Sequence, residues 1–133
     1  MIWWMWLALP LALNAMAHQD ATGIVKERMD RFEDSKATVR EMRGLLKAGD
    51  TQAVSQLATR LAQWGAEMPE YFPEDSNPAP SEALDDIWLD WEGFVAAAGK
   101  FEQAAQQLAD TPTGGNLQAL GKTCKACHNS YRE

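Results

Sequence analysis

Cysteine and histidine are both scarce in this sequence, with two of each among 133 residues. No segment alternates apolar and polar residues in the way that a half-buried strand requires, so a β-sheet is not expected. The sequence also lacks an internal repeat, a low-complexity tract and a glycine-rich phosphate-binding loop. Because strand alternation is missing, we predict an all-α protein. Because no recognisable set of catalytic residues is present either, we predict that it is not an enzyme.

Positive charge is also in short supply. Lys and Arg number 12 against 19 Asp and Glu, which gives a formal net charge of −7 at pH 7. The positive residues form no stripe along any segment. Nucleic acids and anionic membrane surfaces are bound through clusters of positive charge. We therefore expect no nucleic-acid partner.

An apolar run over residues 1–13 is followed by Ala15, Met16 and Ala17. An apolar run that ends in Ala-x-Ala is typical of a secretory signal peptide, although the usual Lys or Arg before the run is missing. The run is too short for a comfortable membrane span of about 20 residues, so an uncleaved anchor is only the alternative. We predict a signal peptide over residues 1–17 and one exported, periplasmic domain over residues 18–133, which is long enough for a single core.

Four segments of this domain carry apolar residues at the three- and four-residue spacing of amphipathic helices. Residues 69–80 include four prolines and predict an irregular crossing loop between the second and third helices. Four helices with short first and last connections predict an antiparallel four-helix bundle. The predicted helices are residues 21–47 with a stop at Gly49, a second segment from Asp50 or Thr51 as N-cap to Pro69, a third from Ser81 as N-cap to about Leu108, and a fourth from Leu117 to Tyr131.

Residues 124–128 have the order Cys-Lys-Ala-Cys-His, which is a c-type haem attachment motif. Two thiols at this spacing can form thioether bonds to the two vinyl groups of one haem, and the next residue can bind its iron. At about 100° per residue, Cys124, Cys127 and His128 share one face of a helix and continue its apolar stripe. The motif predicts one covalently bound haem c inside the bundle. A redox dithiol and a partial metal site are the alternatives, and a disulfide across so short a loop would be strained.

With this motif near its C-terminal end, the sequence resembles cytochrome c′, the class II c-type cytochromes. In class I cytochromes c the motif instead lies near the N-terminus. The resemblance covers most of residues 18–133 and implies a four-helix bundle around one haem. The matching features are residues 120–132 for the haem helix, Ile87, Trp88 and Phe94 for the third helix, Tyr71, Phe72 and Pro73 for the crossing loop, and Val25 to Arg28 with Phe32 for the first helix.

The resemblance also bears on the sixth position of the iron, opposite His128. In low-spin relatives a methionine ligand lies on the first helix, four residues after an Arg, whereas here Arg28 is followed by Phe32. A phenyl ring cannot donate an electron pair to iron, so the resemblance implies a five-coordinate, high-spin haem. Such a haem would bind nitric oxide and carbon monoxide. With the apolar Phe32 as its lid it should form little stable dioxygen complex, because bound dioxygen needs a nearby hydrogen-bond donor. The haem could also exchange electrons with an unidentified redox partner. If the alignment slipped, Met29 would be the ligand, and the protein would be a low-spin His/Met one-electron carrier.

Further roles follow from the same resemblance. Arg28 would donate to a haem propionate, although a surface ion pair with Glu27 or Asp34 is the alternative. Arg132, one turn after His128, would tune the imidazole or simply favour the negative end of the helix. The resemblance also implies haem contacts for Trp88, Phe94, Glu82 and Met29, and a homodimer through the first two helices that uses residues such as Val25 or Leu45. Lys36 departs from the small residues that relatives often carry there, and we expect it to extend into solvent, with a donor role as the alternative.

Overall fold

The computed structural model describes residues 21–78 and 80–133, so the predicted signal peptide over residues 1–17 lies outside the described part. Four long helices form the predicted antiparallel bundle, and a short helix precedes the third of them. Among the described residues no helix combines the length and apolar character needed to cross a membrane. The helices are α1 (Gly23–Ala48), α2 (Thr51–Glu67), α3 (Asp86–Leu89), α4 (Trp91–Asp110) and α5 (Gly114–Tyr131), with a 3-10 turn over Met68–Tyr71.

The connection between α1 and α2 is set by two local signals. Gly49 has a φ of 78°, in the left-handed region where a residue without a Cβ is favoured, and its N–H bonds back to α1. Asp50 follows as the N-cap of α2, and its carboxylate accepts a hydrogen bond from the Ala53 N–H at 3.1 Å. The predicted helix stop and the predicted cap are both confirmed.

The predicted start of the third helix at Ser81 is wrong. The helix begins at Asp86, because the Ser81 hydroxyl has other partners. It accepts a hydrogen bond from the Arg28 guanidinium at 2.9 Å and another from the Ala83 N–H at 3.2 Å. A serine in this arrangement closes a tight turn two residues ahead instead of capping a helix.

The segment after Ser81 is extended because it pairs with the chain after α5. The Leu84 N–H donates to the Tyr131 carbonyl at 2.9 Å, and the Glu133 N–H donates to the Glu82 carbonyl at 3.0 Å. An isolated antiparallel bridge joins Ala83 and Arg132 between these two bonds. These backbone groups are satisfied between segments, so residues 82–84 do not enter a helix.

Asp90 separates α3 from α4, with φ −126° and ψ 57°. Its carboxylate accepts a hydrogen bond from the Tyr131 hydroxyl at 2.9 Å. Gly93 lies beneath this pair, and a Cβ there would come within 2.1 Å of the Asp90 carboxylate and 2.7 Å of the Tyr131 hydroxyl. The absence of a side chain at Gly93 therefore makes room for a contact that fixes the helix break.

Among neighbouring long helices, α2 and α4 make the most extensive contact, and α1 and α5 make the least extensive one. Where α2 and α4 meet, a Cβ on Gly65 would lie 2.8 Å from the Phe101 ring and 3.0 Å from the Glu102 Cα. The loose seam is the one along which the first and last helices meet. Val25 is buried, so it is unavailable for the predicted homodimer contact, whereas Leu45 is half-buried.

The core draws apolar side chains from all four long helices and from the crossing loop. Its best-buried large members are Phe94, Met42, Ile87, Leu108, Leu120 and Val54. Beside this core, one continuous set of ring contacts crosses the bundle. This aromatic network consists of Phe32, Trp64, Tyr71, Phe72, Trp88, Trp91, Phe94 and Tyr131.

Candidate haem site

Helix α5 positions the attachment motif. Thr113 caps the helix by accepting a hydrogen bond from the Asn116 N–H at 3.2 Å, and the helix then runs without interruption past the motif. Cys124, Cys127 and His128 are half-buried, and the two thiols pack against the apolar core. The three side chains predicted to share one face therefore do face the interior of the bundle together.

The chemistry of the two thiols does not favour a redox dithiol. Both cysteines are free of a disulfide. Burial raises the pKa of Cys124, and burial together with the neighbouring Cys124 raises the pKa of Cys127 to about 11. Redox-active thiols have a lowered pKa, because the thiolate is the reactive form. Apolar surroundings of this kind suit sulfurs that are held in thioether bonds.

His128 lies directly across the loose seam from Phe32. The two ring centroids are 6.1 Å apart with an interplanar angle of 69°, so one ring points its edge at the other. Burial and the positive charge of Arg132 both lower the pKa of His128. The neutral imidazole that this favours is the form whose lone pair binds metals.

Phe32 is held in an aromatic environment. Its ring lies 5.5 Å from the Trp64 ring and 6.3 Å from the Phe72 ring, measured between centroids. Within the described residues the buried Trp64 indole N–H has no hydrogen-bond partner. The α1 side of the seam therefore presents the Phe32 ring to His128, with the Trp64 ring next to Phe32.

Arg28 lies one turn before Phe32 and is only 2% exposed. Its Nη1 donates to the Tyr71 carbonyl and the Ser76 hydroxyl, and its Nη2 donates to the Ser76 carbonyl and the Ser81 hydroxyl. The guanidinium also lies 4.5 Å from the centre of the Phe72 ring. The alternative of a surface ion pair with Glu27 or Asp34 is therefore wrong.

The surroundings of Arg28 fit a haem. No ion pair joins this residue to a carboxylate within residues 21–78 and 80–133, and burial lowers its pKa. A buried cation without a counter-charge is costly, so such a site favours an anionic ligand. Haem supplies carboxylates as its propionates, and the four hydrogen bonds that Arg28 makes within the described residues leave its Nε–H available. The two thiols, the imidazole and this cation together match the groups that a haem c needs.

A cleft of about 190 Å³, lined in part by Trp64, opens between α1 and α2. It contains Ser35 and Thr38 from α1 and Arg60 and Glu67 from α2. Ser35 is a polar residue that interrupts the apolar stripe of α1. It lines this cleft and so does not interrupt a packed apolar surface.

Comparison with known proteins places the chain among haem proteins. Residues 23–132 match the sequence model of the family described as Cytochrome C′. The chain belongs to the cytochrome c′ family. It is 41% identical over 73 residues to cytochrome c′ of Rhodospirillum rubrum, which covers 49% of this chain and 50% of that protein. It is 34% identical over 93 residues to cytochrome c-556 of Agrobacterium tumefaciens, which covers 65% of this chain and 73% of that protein.

In sequence, the chain thus spans about half the length of the R. rubrum cytochrome c′. The structural superpositions cover a larger share of the related chains. Cytochrome c′ of Rhodopseudomonas palustris superposes with a TM-score of 0.73 at 23% identity, covering 85% of this chain and 98% of that one. Cytochrome c prime of Shewanella frigidimarina gives a TM-score of 0.69 at 25% identity, covering 83% and 94%. The cytochrome c′ bundle is therefore confirmed as the fold.

As a member of the cytochrome c′ family, the chain carries one haem c bound covalently through Cys124 and Cys127. Other residues predicted to contact the haem have protein partners in the described structure. Glu82 and Arg132 form an ion pair with nitrogen–oxygen distances of 2.7 and 3.2 Å. The Trp88 indole N–H donates to the carbonyls of the crossing loop at Phe72 and Pro73. Their haem contacts, and that of Arg28, stay predictions.

Met29 and Lys36 differ in position on α1. Met29 is half-buried, whereas Lys36 is exposed.

Sequence reasoning missed Ser76, which supplies two acceptors to Arg28. It also missed the unpaired indole of Trp64. A serine in a proline-rich loop and a tryptophan in an apolar stripe carry no local signal of these roles, because both depend on side chains far away in the sequence.

Proposed function

We propose that this member of the cytochrome c′ family is an exported haem protein that binds nitric oxide and carbon monoxide. In this proposal His128 binds the iron on one side, and no protein atom binds it on the other. The observation that supports the proposal is that α1 places Phe32 across the seam from His128, with 6.1 Å between the ring centroids. The residue of α1 that faces the imidazole across the seam is the one without a lone pair to donate. When bound, the haem would supply an open iron position for a diatomic gas and a one-electron couple.

The side chains near the open iron position determine which gas binds, because bound gases differ in their need for a hydrogen-bond donor. The residue next to His128 on the α1 side is Phe32, whose ring carries no hydrogen-bond donor. Bound dioxygen carries negative charge and needs a nearby donor, whereas nitric oxide and carbon monoxide need one much less. Lys36 is exposed on α1, so its ammonium is solvated and is not such a donor. The protein should therefore favour nitric oxide and carbon monoxide over dioxygen.

An absorption spectrum of the purified holoprotein tests this function. The ferric and ferrous forms should both be high-spin, and the ferric form should show a broad Soret band. Nitric oxide should shift the Soret band of both forms, and carbon monoxide should shift that of the ferrous form. Sharp low-spin α and β bands in the reduced protein before any gas is added would show that a side chain binds the iron. Met29, one turn from Phe32, would then be the first residue to examine, and the protein would be a His/Met electron carrier.

Export depends on residues 1–17, and we propose that cleavage after Ala17 leaves a periplasmic domain that begins at His18. The intact mass of the mature holoprotein checks this point. Replacing the two small residues of the cleavage site, as Ala15→Leu with Ala17→Leu, should leave the leader attached, because the peptidase requires small side chains there. Unchanged processing of that variant would argue against the proposed site.

We also propose, from the family resemblance, that the protein forms a homodimer through α1 and α2. Leu45 is half-buried in α1 and is the candidate for the contact, since Val25 is buried. Light scattering on the purified protein measures the mass directly. Leu45→Lys should convert a dimer to a monomer without altering the spectrum.

A further inference from the structure

Three exposed apolar side chains lie around the break between α3 and α4, and the proposed gas site does not use them. Leu89 is 82% exposed, Val95 is 39% exposed and Trp91 is 38% exposed. Trp91 and Val95 are four residues apart on α4, so they share a face of that helix. Leu89 lies two residues before Trp91, and the break at Asp90 leaves it outside the core. We call these three side chains the apolar patch.

The apolar patch has an acidic border. Residues 85–95 contain four carboxylates and no Lys or Arg. Asp85 and Asp86 lie one turn before Leu89, and Glu92 lies one turn before Val95, so these carboxylates lie beside the patch. All four are exposed, and they are Asp85, Asp86, Asp90 and Glu92.

The apolar patch is also joined to the haem helix. The Trp91 ring lies 5.4 Å from the Phe94 ring, and the Phe94 ring lies 5.6 Å from the Tyr131 ring. Tyr131 is one turn after His128 on α5, and its hydroxyl bonds to Asp90 beside the patch. Ring contacts therefore connect this surface with the helix that holds the cofactor.

We propose that the apolar patch and its acidic border form the docking surface for a one-electron carrier protein whose contact face is apolar and bordered by Lys and Arg. The proposal rests on the haem function proposed above, because a c-type haem protein that exchanges electrons needs such a partner. Charge complementarity identifies the class of partner. Opposite charges around a small apolar centre speed encounter and orient the complex, which suits a transient interaction.

A second copy of this chain fits the surface poorly. In a two-fold dimer the same patch lies on both sides of the interface, so the acidic border would face itself. Like charges opposed in this way are unfavourable.

Binding of a lysine-rich mitochondrial cytochrome c to the holoprotein tests the proposal. The dissociation constant can be measured by calorimetry at low salt, and the contact mapped by nuclear magnetic resonance. Binding should weaken about 10-fold or more between 20 and 200 mM salt, since exposed charge pairs are screened. Asp86→Lys with Glu92→Lys should weaken it about 10-fold at low salt, and Leu89→Ser about 3-fold.

The control is Glu70→Lys with Asp110→Lys, which makes the same change in net charge at exposed positions outside the apolar patch and outside α1 and α2. If the control weakens binding as much as the patch variants, only net charge matters and the proposal fails. It also fails if Leu89→Ser has no effect, or if the patch variants dissociate a homodimer. The readout is binding, so a low-spin spectrum would refute the gas site while leaving this result interpretable.

Discussion

Arg28 donates hydrogen bonds to both oxygens of Ser76, with Nη1 2.9 Å from the hydroxyl and Nη2 2.7 Å from the carbonyl. The two residues are 48 positions apart, so this contact ties the middle of the crossing loop to α1. The same guanidinium bonds to Tyr71 near one end of the loop and to Ser81 at the other. One buried cation therefore organises the whole connection between the second and third long helices.

Replacing Arg28 with Met should destabilise the holoprotein by about 2–4 kcal/mol in the free energy of unfolding, because four acceptors lose a charged donor. Urea denaturation measures the change. Lys26→Met is the control, since Lys26 is exposed and its ion pair with Asp30 lies at the surface, where such pairs contribute little. Equal effects of the two substitutions would contradict the assigned role of Arg28.

Phe32→Met should convert the haem from high spin to low spin, because a thioether sulfur can bind iron where a phenyl ring cannot. The reduced variant should show sharp α and β bands and should lose its affinity for carbon monoxide. Met29→Leu, one turn away, should leave the spectrum unchanged. A high-spin spectrum for Phe32→Met would mean that Phe32 does not face the iron.

Gly65→Ala should cost about 1–3 kcal/mol, since the added methyl overlaps the Phe101 ring and the backbone of α4 at Glu102. Gly44→Ala is a matched control in α1, where no atom of the described part of the chain lies within 4 Å of the added carbon. That change should stabilise the protein by about 0.5–1 kcal/mol, because glycine is unfavourable within a helix. Thermal unfolding of both variants should therefore shift in opposite directions.

Tyr131 makes stability depend on alkaline pH. Burial, and then its hydrogen bond to Asp90, raise the pKa of Tyr131. The neutral phenol therefore contributes stability that is fully present below the unfolded-state pKa of about 10 and is lost as pH rises through the folded-state pKa. Tyr131→Phe should lower stability at pH 7 by about 1–2 kcal/mol, and the gap to wild type should narrow above pH 10. A constant gap between pH 7 and pH 11 in urea denaturation would contradict this assignment.

Local signals predicted the fold well. Gly49 and Asp50 end one helix and begin the next by backbone conformation and by a contact three residues away, so neighbouring residues suffice to predict them. Cys124, Cys127 and His128 are likewise close in sequence, and a helix alone brings them to one face. The family resemblance then identified Phe32, which α1 does place opposite His128.

The features that the sequence did not reveal all depend on distant contacts. Ser81 has the composition of a helix cap, yet its hydroxyl is taken by Arg28, 53 residues earlier. The helix break at Asp90 depends on the Tyr131 hydroxyl, 41 residues later. Local spacing cannot distinguish these arrangements from a single longer helix. For the same reason the sequence did not reveal the hydrogen bonds that Arg28 donates along the crossing loop.

The aromatic network gives the protein an internal reporter of folding. All three tryptophans in residues 21–78 and 80–133 belong to it, and the network reaches His128 through Phe32. Indoles so near a porphyrin transfer their excitation to it, so the native holoprotein should emit almost no fluorescence. Emission that returns on adding denaturant would then measure the separation of the helices from the cofactor, without any introduced dye.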